Sequence, residues 1–397
     1  MNSLSKDIAP EIEESILRCL EGKTISRKEA NCIIEADNSY LPMLMAVSSV
    51  IRDSTNKKNL SYSKNVFIPL TNICSNMCKY CGFRRDPIEA DAKLMAPSQV
   101  IDLAQKGDAS GCYEALFCLG EKPEQKYKDY SKRLRKLGYE NTIEYLCDMC
   151  EAVFKKTNLL PHSNPGLIEK NEMKTLREFN ASLGLMFESV SNRLCEKGGP
   201  HELSPGKAPK LRLNVIEHAG QLKIPFTTGL LIGIGESDKE IIDSLFAIKK
   251  LHDKYDHIQE IIVQNFRAKP NTEMGKNKEP TIEQLLKIVI MARLIFGKDM
   301  SIQVPPNLNT NYCELFILAG IGDWGGISPI TTDFINPDFP WPKIEDLEKI
   351  TENNGFDFKE RLPIYPKYIE KSGFMSKSIK DKVFSLADNE GYVRRSD

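Results

Sequence analysis

The feature that most constrains the fold of this chain is a regular alternation of short apolar runs with amphipathic segments, which begins near residue 62. The runs are rich in β-branched and aromatic residues, which favour strands. Between them, apolar residues recur every three to four positions, which favours helices. Seven helical segments separate eight runs, and the runs cover residues 65–71, 113–120, 159–166, 181–189, 225–235, 258–266, 301–305 and 323–329.

This alternation predicts a parallel sheet, because each helix returns the chain to the same edge of the sheet. Eight parallel strands can close into a (β/α)8 barrel of the TIM type, while periodicity alone leaves an open, doubly wound sheet as the alternative. We expect a helical N-terminal extension over residues 1–60, a β/α barrel over 61–335 and a partly helical C-terminal tail over 336–397. In such a barrel, functional side chains lie in the loops that follow the strands.

Charge and hydropathy argue against several classes of partner. The chain has 54 basic and 55 acidic residues and a net charge of −1, so we expect neither a nucleic acid nor a membrane as a partner. No apolar run reaches the length of about 18 residues that a membrane span needs. The first residues, "MNSLSKDIAPEIEESIL", lack the apolar centre of a secretory signal, and we expect a cytoplasmic protein.

Three cysteines lie close together in "NICSNMCKYCGF", directly after the first predicted strand: Cys74, Cys78 and Cys81. Thiolates bind zinc, copper(I) or iron–sulfur clusters. A structural zinc site has four protein ligands, and the nearest histidine, His162, is about 80 residues away. A 4Fe–4S cluster held by three cysteines would instead leave one iron open as a reaction site. We therefore expect such a cluster at the mouth of the barrel.

A second pair of cysteines, Cys147 and Cys150, lies in "CDMC" within a predicted outer helix. Buried free thiols are common in such helices, and an additional cluster would need more thiolates nearby. We expect this pair to pack in the core, while the sequence leaves a redox or metal-binding role open.

The cysteine spacing after a first barrel strand resembles the radical S-adenosylmethionine enzymes. The resemblance implies that the open iron chelates the amino and carboxylate groups of S-adenosylmethionine. It also implies that one electron from the cluster cleaves the sulfonium to give a 5′-deoxyadenosyl radical, which abstracts hydrogen from a substrate. Tyr80, the aromatic residue before the third cysteine, would then lie near the adenine.

The same resemblance implies cofactor-binding residues after the second and fourth runs. The family often has Gly-Gly-Glu after the second run, and "CLGEKP" has a leucine in place of the first glycine, followed by Gly120 and Glu121. The backbone of this segment would receive the methionine amino group. Glu188 would bind the ribose hydroxyls, and Arg193 would pair with the methionine carboxylate, which suits an arginine fork. A plain turn and a surface arginine are the alternative interpretations.

The fifth run ends in "GLLIGIGES", where Gly-x-Gly also invites a dinucleotide interpretation. The third glycine of that fingerprint is missing, and the glycines end a late strand. The family motif fits Gly233, Gly235 and Glu236 better, and these would shape the adenine pocket.

The third and sixth runs end in polar residues that would face the cavity. These candidates for substrate contact are His162 and Asn164 in "PHSNPG" and Gln264, Asn265 and Arg267 in "QNFRAKP". They suit a substrate rich in carbonyl and hydroxyl groups, although hydrogen bonds within the loops are an equally good interpretation.

Longer motifs narrow the resemblance to the CofG-type subunit of 7,8-didemethyl-8-hydroxy-5-deazariboflavin synthase. They include "SNRLCEKGGPHELSPGK" and "DWGGISPIT", and the resemblance covers roughly residues 60–342. It implies a radical lyase that takes an adduct of tyrosine and 5-amino-6-ribitylaminouracil, closes its ring and expels ammonia. It further implies a CofH-type partner subunit that makes this adduct, and an external electron donor.

Other functions remain open at this point. The partner subunit and biotin-synthase-like enzymes share the barrel and the cysteine motif, and an iron–sulfur redox protein without catalysis would share the cluster. The redox protein would need no cavity residues such as Glu188 and Arg193, so their presence favours an enzyme.

Overall fold

A parallel barrel forms the centre of the computed structural model, which describes residues 9–55 and 58–394. The sheet contains nine strands: β1 Asn59–Thr71, β2 Glu114–Leu119, β3 Leu160–Asn164, β4 Ser182–Gly184, β5 Phe226–Ile232, β6 Ile258–Asn265, β7 Ser301–Gln303, β8 Asp323–Ile327 and β9 Asp357–Glu360. β1 pairs in parallel with both β2 and β8, so the first eight strands close on themselves. The predicted (β/α)8 fold is confirmed, and the open sheet is excluded.

Helices surround the barrel and follow each of its strands. They are α1 Pro10–Leu20, α2 Arg27–Ile34, α3 Leu41–Asp53, α4 Pro97–Ala109, α5 Lys128–Lys136, α6 Thr142–Lys156, α7 Lys170–Leu176, α8 Pro209–Gln221, α9 Asp238–Tyr255, α10 Ile282–Phe296, α11 Cys313–Leu318, α12 Ile344–Asn353, α13 Pro366–Ile369 and α14 Lys377–Leu386. Capping boxes begin two of the long ones, at Ser237 for α9 and at Thr281 for α10. No helix in the described part of the chain is long and apolar enough to cross a bilayer.

Two strands differ most in length from their predicted runs. β1 begins at Asn59, well before the predicted start at residue 65, because β9 pairs with this added segment. β4 covers only Ser182–Gly184 of the predicted 181–189, and Glu188 beyond it has a positive φ of 71°. That backbone turn interrupts the ladder, and Glu188 then forms an isolated bridge to Leu230 of β5.

The N-terminal helices α2 and α3 pack against the outer helices α9, α10 and α11, and α1 packs on α2 and α3. Their apolar side chains belong to the same buried cluster as the interior of the barrel wall. Polar contacts reinforce the packing, since Ser48 Oγ donates to the Ala319 carbonyl at 2.6 Å and Lys287 Nζ donates to the Ala36 carbonyl at 2.5 Å. The division into an extension, a barrel and a tail remains a prediction about domain organisation.

The C-terminal tail contains a strand as well as the predicted helices. β9 runs parallel to the first residues of β1, with Asn59 opposite Asp357. The next residue, Arg361, enters the barrel and binds Asp323 through two N–H groups of one guanidinium edge, Nε to Oδ2 at 2.7 Å and Nη2 to Oδ1 at 3.0 Å. The tail therefore closes the end of the barrel where the strands begin, and we call this closed end the floor.

Candidate active site

The barrel encloses a cavity of about 390 Å³ that extends from the loop after β1 down to the floor. Side chains from most strands line it. At the upper end these are Cys74, Cys78, Tyr80, Cys81, Gly120, Glu121 and Glu188; below them lie His162, Asn164 and Gln264; and Asn65, Glu114 and Arg361 lie near the floor.

All three predicted cluster cysteines lie on the loop after β1 and face this cavity. The backbone curls between them, since the Cys81 amide donates to the Cys78 carbonyl at 3.0 Å. The Glu121 amide donates to Cys74 Sγ at 3.2 Å and so ties the loop after β2 to the first thiol. Burial, together with the neighbouring thiols of Cys81 and Cys78, raises the pKa of Cys74 to about 12.

These thiols fit an iron–sulfur cluster better than a single metal ion. Across residues 9–55 and 58–394, no three side chains of the metal-binding types converge on one ion position. In a cluster each cysteine binds a different iron, so three ligands surround an inorganic core and do not meet at one point. An all-thiol donor set on a half-buried loop suits such a core. The ligand assignment itself remains a prediction.

Gly120 lies where the loop after β2 crosses the cysteine loop. A Cβ atom at this position would overlap the Ile73 carbonyl oxygen and would come within 2.9 Å of Cys74 Cα. Only glycine permits this approach, so Gly120 positions the cysteine loop through its backbone.

The Glu121 side chain connects three loops at the upper end of the cavity. It accepts hydrogen bonds from Asn76 Nδ2 at 2.9 Å and from the Leu167 amide at 3.0 Å, and Arg212 Nη1 lies 3.9 Å from its carboxylate. Its carbonyl oxygen also accepts from the Ser75 amide at 2.9 Å. Glu121 therefore holds the cysteine loop against the loops after β2 and β3.

Glu188 is the acidic residue at the upper end of the cavity, as predicted, and two cations accompany it. Lys207 Nζ donates to its carboxylate, and Arg212 Nη2 lies 3.9 Å from the same oxygen. Burial alone would raise the pKa of Glu188, but Lys207 and Arg212 hold it below its usual value. The result is a cluster of two cations, Lys207 and Arg212, and two carboxylates, Glu188 and Glu121, beside the thiols.

Sequence reasoning missed Lys207 and Arg212, although a signal was present. Arg212 lies on the same face of α8 as the buried residues Val215, Ile216 and Ala219. A charged residue on the apolar stripe of an amphipathic helix indicates a buried ionic site.

Arg193, the predicted carboxylate partner, lies elsewhere. Its exposed guanidinium binds Glu240 at the start of α9 at 2.8 Å and donates to the Gly235 carbonyl at 2.7 Å. Arg193 does not line the cavity described above. Its contacts support the alternative of a surface arginine that stabilises a helix start.

Tyr80 forms one wall near the thiols. Its hydroxyl and His201 Nε2 share a hydrogen bond at 2.9 Å, and the two rings meet edge to face. Burial lowers the pKa of His201 to about 4, so its ring is neutral at pH 7. Tyr80 also packs against an apolar cluster that consists of Leu194, Leu231, Ile234, Phe266 and Met274.

Gly233 and Glu236 build the turn after β5 and do not line the cavity. The Glu236 carboxylate accepts hydrogen bonds from the Gly233 amide at 2.5 Å and the Ile234 amide at 3.0 Å. Gly233 has a φ of 95°, and a Cβ there would come within 2.7 Å of Pro280 Cδ. This turn places Ile234 in the apolar cluster beside Tyr80.

The structure separates the five predicted substrate contacts into two groups. His162, Asn164 and Gln264 line the cavity. Asn265 instead accepts a hydrogen bond from Asn309 Nδ2 at 2.8 Å, outside the lining. Arg267 pairs with Glu279 at 2.6 Å and stacks on a phenylalanine ring, also outside it.

Cys147 and Cys150 lie on α6, away from the cysteine loop. Cys150 is fully buried and lies 3.4 Å from Ser163 Oγ. Burial raises the pKa of both thiols to about 12, so they are protonated at neutral pH. This environment agrees with a packing role.

Comparisons with known proteins identify the family of this chain. Residues 68–248 match the Radical SAM superfamily. The 7,8-didemethyl-8-hydroxy-5-deazariboflavin synthase of Methanopyrus kandleri is 51% identical over 84% of this chain and 100% of its own length. The protein of the same name from Methanocaldococcus jannaschii is 47% identical over 91% of this chain and 98% of its own.

Solved structures agree on the fold. HydG, a maturase of the FeFe-hydrogenase, superposes with a TM-score of 0.74 at 16% identity, over 97% of this chain and 83% of its own. Methylornithine synthase (PylB) does so with a TM-score of 0.67 at 18% identity, over 86% of this chain and 96% of its own. The resemblance seen in the sequence motifs is confirmed, and the chain belongs to the radical S-adenosylmethionine superfamily and, within it, to the 7,8-didemethyl-8-hydroxy-5-deazariboflavin synthase family.

Proposed function

We propose that this protein converts the adduct of tyrosine and 5-amino-6-ribitylaminouracil into 7,8-didemethyl-8-hydroxy-5-deazariboflavin, with ring closure and loss of ammonia. The observation that carries the proposal is a continuous cavity with three thiols at one end and buried polar side chains at the other. Such a cavity can hold a cofactor and a large polar substrate in contact and keep water away from both.

Cys74, Cys78 and Cys81 would hold a 4Fe–4S cluster at the upper end. When bound there, the cluster would supply the electron that cleaves S-adenosylmethionine. The chain's own contribution is to fix the loop that carries the thiols, through Gly120 and the carboxylate of Glu121.

The charged cluster below the thiols suits the amino acid and ribose parts of S-adenosylmethionine. Lys207 and Arg212 offer positive charge to a carboxylate, and Glu188 offers acceptors to hydroxyl groups. The apolar surface around Tyr80 and Leu231 offers a flat contact for the adenine.

The substrate would occupy the lower part of the cavity. His162, Asn164 and Gln264 project into it from β3 and β6. Burial lowers the pKa of His162 to about 3, so its neutral ring can exchange hydrogen bonds with a carbonyl or hydroxyl but carries no charge at neutral pH. We further propose that a CofH-type partner supplies the adduct and that an external protein donates the electron.

One assay tests the reaction. Anaerobically reconstituted and reduced protein should form 5′-deoxyadenosine from S-adenosylmethionine, and addition of the adduct should produce a fluorescent deazaflavin. The Cys78→Ala variant should lose both activities, whereas Cys32→Ala, which removes a half-buried thiol of α2, should keep both.

Each failure has a different meaning. Absence of 5′-deoxyadenosine would refute the radical reaction, and its formation by Cys78→Ala would refute the ligand assignment. Consumption of free tyrosine in place of the adduct would assign the chain to the partner's reaction.

A further inference from the structure

The lower part of the cavity is unusually polar for the interior of a barrel. Barrels of this kind are filled mainly by bulky branched residues. Here Asn65 and Glu114, which are opposite each other on β1 and β2, line the cavity together with Gln303 of β7. A polar interior at this depth requires hydrogen-bond partners, and these come either from the protein or from a ligand.

Neither end of the Asn65 carboxamide has a hydrogen-bond partner in the protein. The residue is fully buried, and it lines the cavity. A Cβ at Gly326 would overlap Asn65 Nδ2, so glycine at that position leaves the amide room. Leaving both a donor and an acceptor unpaired is costly in a buried site.

Two other buried amides of the cavity lining have partners in the protein. Gln259 donates to Thr227 Oγ1 at 3.2 Å and to the Pro363 carbonyl at 3.1 Å. Asn336 donates to Asp333 Oδ2 at 3.0 Å. The protein therefore satisfies these two amides, whereas both ends of the Asn65 carboxamide are left for a ligand.

Three further unpaired polar atoms belong to residues that line the same cavity. Arg84 Nε and Trp341 Nε1 are donors and Asn307 Oδ1 is an acceptor, and none of the three has a partner in the protein. Together with the Asn65 carboxamide, the lining presents three donors and two acceptors. This number suits a heterocycle with several carbonyl and N–H groups better than an apolar or singly polar group.

We propose that Asn65 is a specificity-determining residue that holds the pyrimidinedione ring of the substrate by two hydrogen bonds, an inference that rests on the proposed function. Its Nδ2 would donate to a ring carbonyl, and its Oδ1 would accept from the adjacent ring imide N–H. A carboxamide matches this edge because both present one donor and one acceptor side by side, as in two-point base recognition by asparagine. A phenol or a single hydroxyl would satisfy only one end of the amide.

The position of Asn65 suits this orientation of the substrate. Six residues separate it from Thr71, where β1 ends at the cysteine loop, and this length of strand rises about 20 Å. That distance leaves room for S-adenosylmethionine between the thiols and a substrate whose heterocycle lies near the floor. The hydroxybenzyl part would then point up toward the cofactor.

The test measures binding of 5-amino-6-ribitylaminouracil to the reconstituted protein by calorimetry, which requires no turnover. We expect Asn65→Leu, which keeps the volume similar, to weaken binding by about ten- to a hundredfold, the loss expected for two hydrogen bonds. The melting temperature and the iron content should not fall, because no hydrogen bond within the protein is lost. The KM for the adduct should rise by a similar factor.

Asn180→Leu is the matched control. Asn180 is a buried amide outside the cavity lining whose ends bind Ser163 Oγ at 2.7 Å and the Leu176 carbonyl at 2.9 Å. Its replacement should lower the melting temperature and leave uracil binding unchanged, which is the reverse of the pattern expected for Asn65.

A methylated probe tests which edge of the uracil ring Asn65 recognises. The same uracil with a methyl group on the imide nitrogen should bind poorly to the wild type and should bind the wild type and N65L equally. Equal binding of the unmethylated probe by wild type and N65L, or no binding by the wild type, would overturn the inference. If the wild type binds the probe through Asn65 but does not convert the adduct, the proposed reaction is refuted. The assignment of Asn65 as a residue that binds the pyrimidinedione ring is then still supported.

Discussion

At the scale of single residues, the crossing of two backbones at Gly120 determines where the thiols lie. The cysteine loop passes so close to Gly120 that a side chain there would displace Ile73 and Cys74. The usual family motif has a glycine before this one, and this chain has Leu119 instead. This chain therefore keeps a glycine at the one of these two positions that contacts the cysteine loop.

We predict that Gly120→Ala will destabilise the protein by about 1–3 kcal/mol, the usual range for overpacking a tight contact. The reconstituted variant should also hold less iron, because the loop that carries Cys74 must move. Urea unfolding and iron analysis measure the two effects. Gly322→Ala is the control, since a Cβ there meets its nearest atoms at an ordinary 3.7 Å. Full iron content in Gly120→Ala would contradict this account of the loop.

At the scale of elements, the tail is part of the barrel because it supplies the charge that the floor requires. Glu114, Glu260 and Asp323 are buried there, and Arg361 binds Asp323 and lies 3.6 Å from Glu260. Burial raises the pKa of Glu114 to about 7, and Arg361 opposes this rise. Without the tail, the floor would contain buried carboxylates with no cation.

We predict that Arg361→Met will destabilise the protein by about 3–5 kcal/mol at pH 8, the cost of leaving a buried charge unpaired. Loss of the guanidinium raises the pKa of Glu114 and Glu260 further above their values in the unfolded chain. Their ionisation therefore opposes folding at high pH, and the destabilisation should shrink as pH falls from 8 toward 6. Chemical denaturation at pH 8 and at pH 6 measures this change in the free energy of unfolding.

Lys359→Met provides the comparison for Arg361→Met. Lys359 lies on β9, two positions before Arg361, and reaches Glu390 only at 3.6 Å near the surface. Its replacement should change stability by less than about 1 kcal/mol at either pH. An equal effect of the two substitutions would show that the floor does not depend on the Arg361 charge.

At the scale of the whole molecule, buried neutral histidines couple stability to pH. Burial lowers the pKa of His257 and of His162 to about 3, and that of His201 and of His252 to about 4. In the unfolded chain each has its ordinary pKa near 6.5 and takes up a proton below it. Their contribution to stability is therefore present above pH 6.5 and is lost as pH falls toward 3.

We predict that His257→Gln will flatten this dependence. His257 is fully buried, and its Nε2 lies 2.9 Å from the Ile216 carbonyl, which a glutamine amide can also reach. Between pH 6.5 and 4 the wild type should lose about 3 kcal/mol more stability than the variant. Thermal unfolding across this range measures the difference, and parallel curves for the two proteins would disprove it. Lys223→Gln, a surface replacement, should follow the wild-type curve.

Much of this architecture could be predicted from the sequence, because local patterns encode it. The positions of the eight barrel strands followed from the alternation of runs and helices, and the capped starts of α9 and α10 depend on residues three apart. β9 was not foreseen, because four residues between helices carry too little pattern to indicate a strand.

The sequence alone determined the barrel, the cysteine loop and the family, because spacing along the chain carries each of them. Only the tertiary structure decided which charged residues enter the cavity. It placed Lys207 and Arg212 beside Glu188 and left Arg193 on the surface, and it placed Arg361 of the tail in the floor. The physical reason is that a buried charge is stable only beside its counter-charge, and partners far apart in the sequence meet only when the barrel closes.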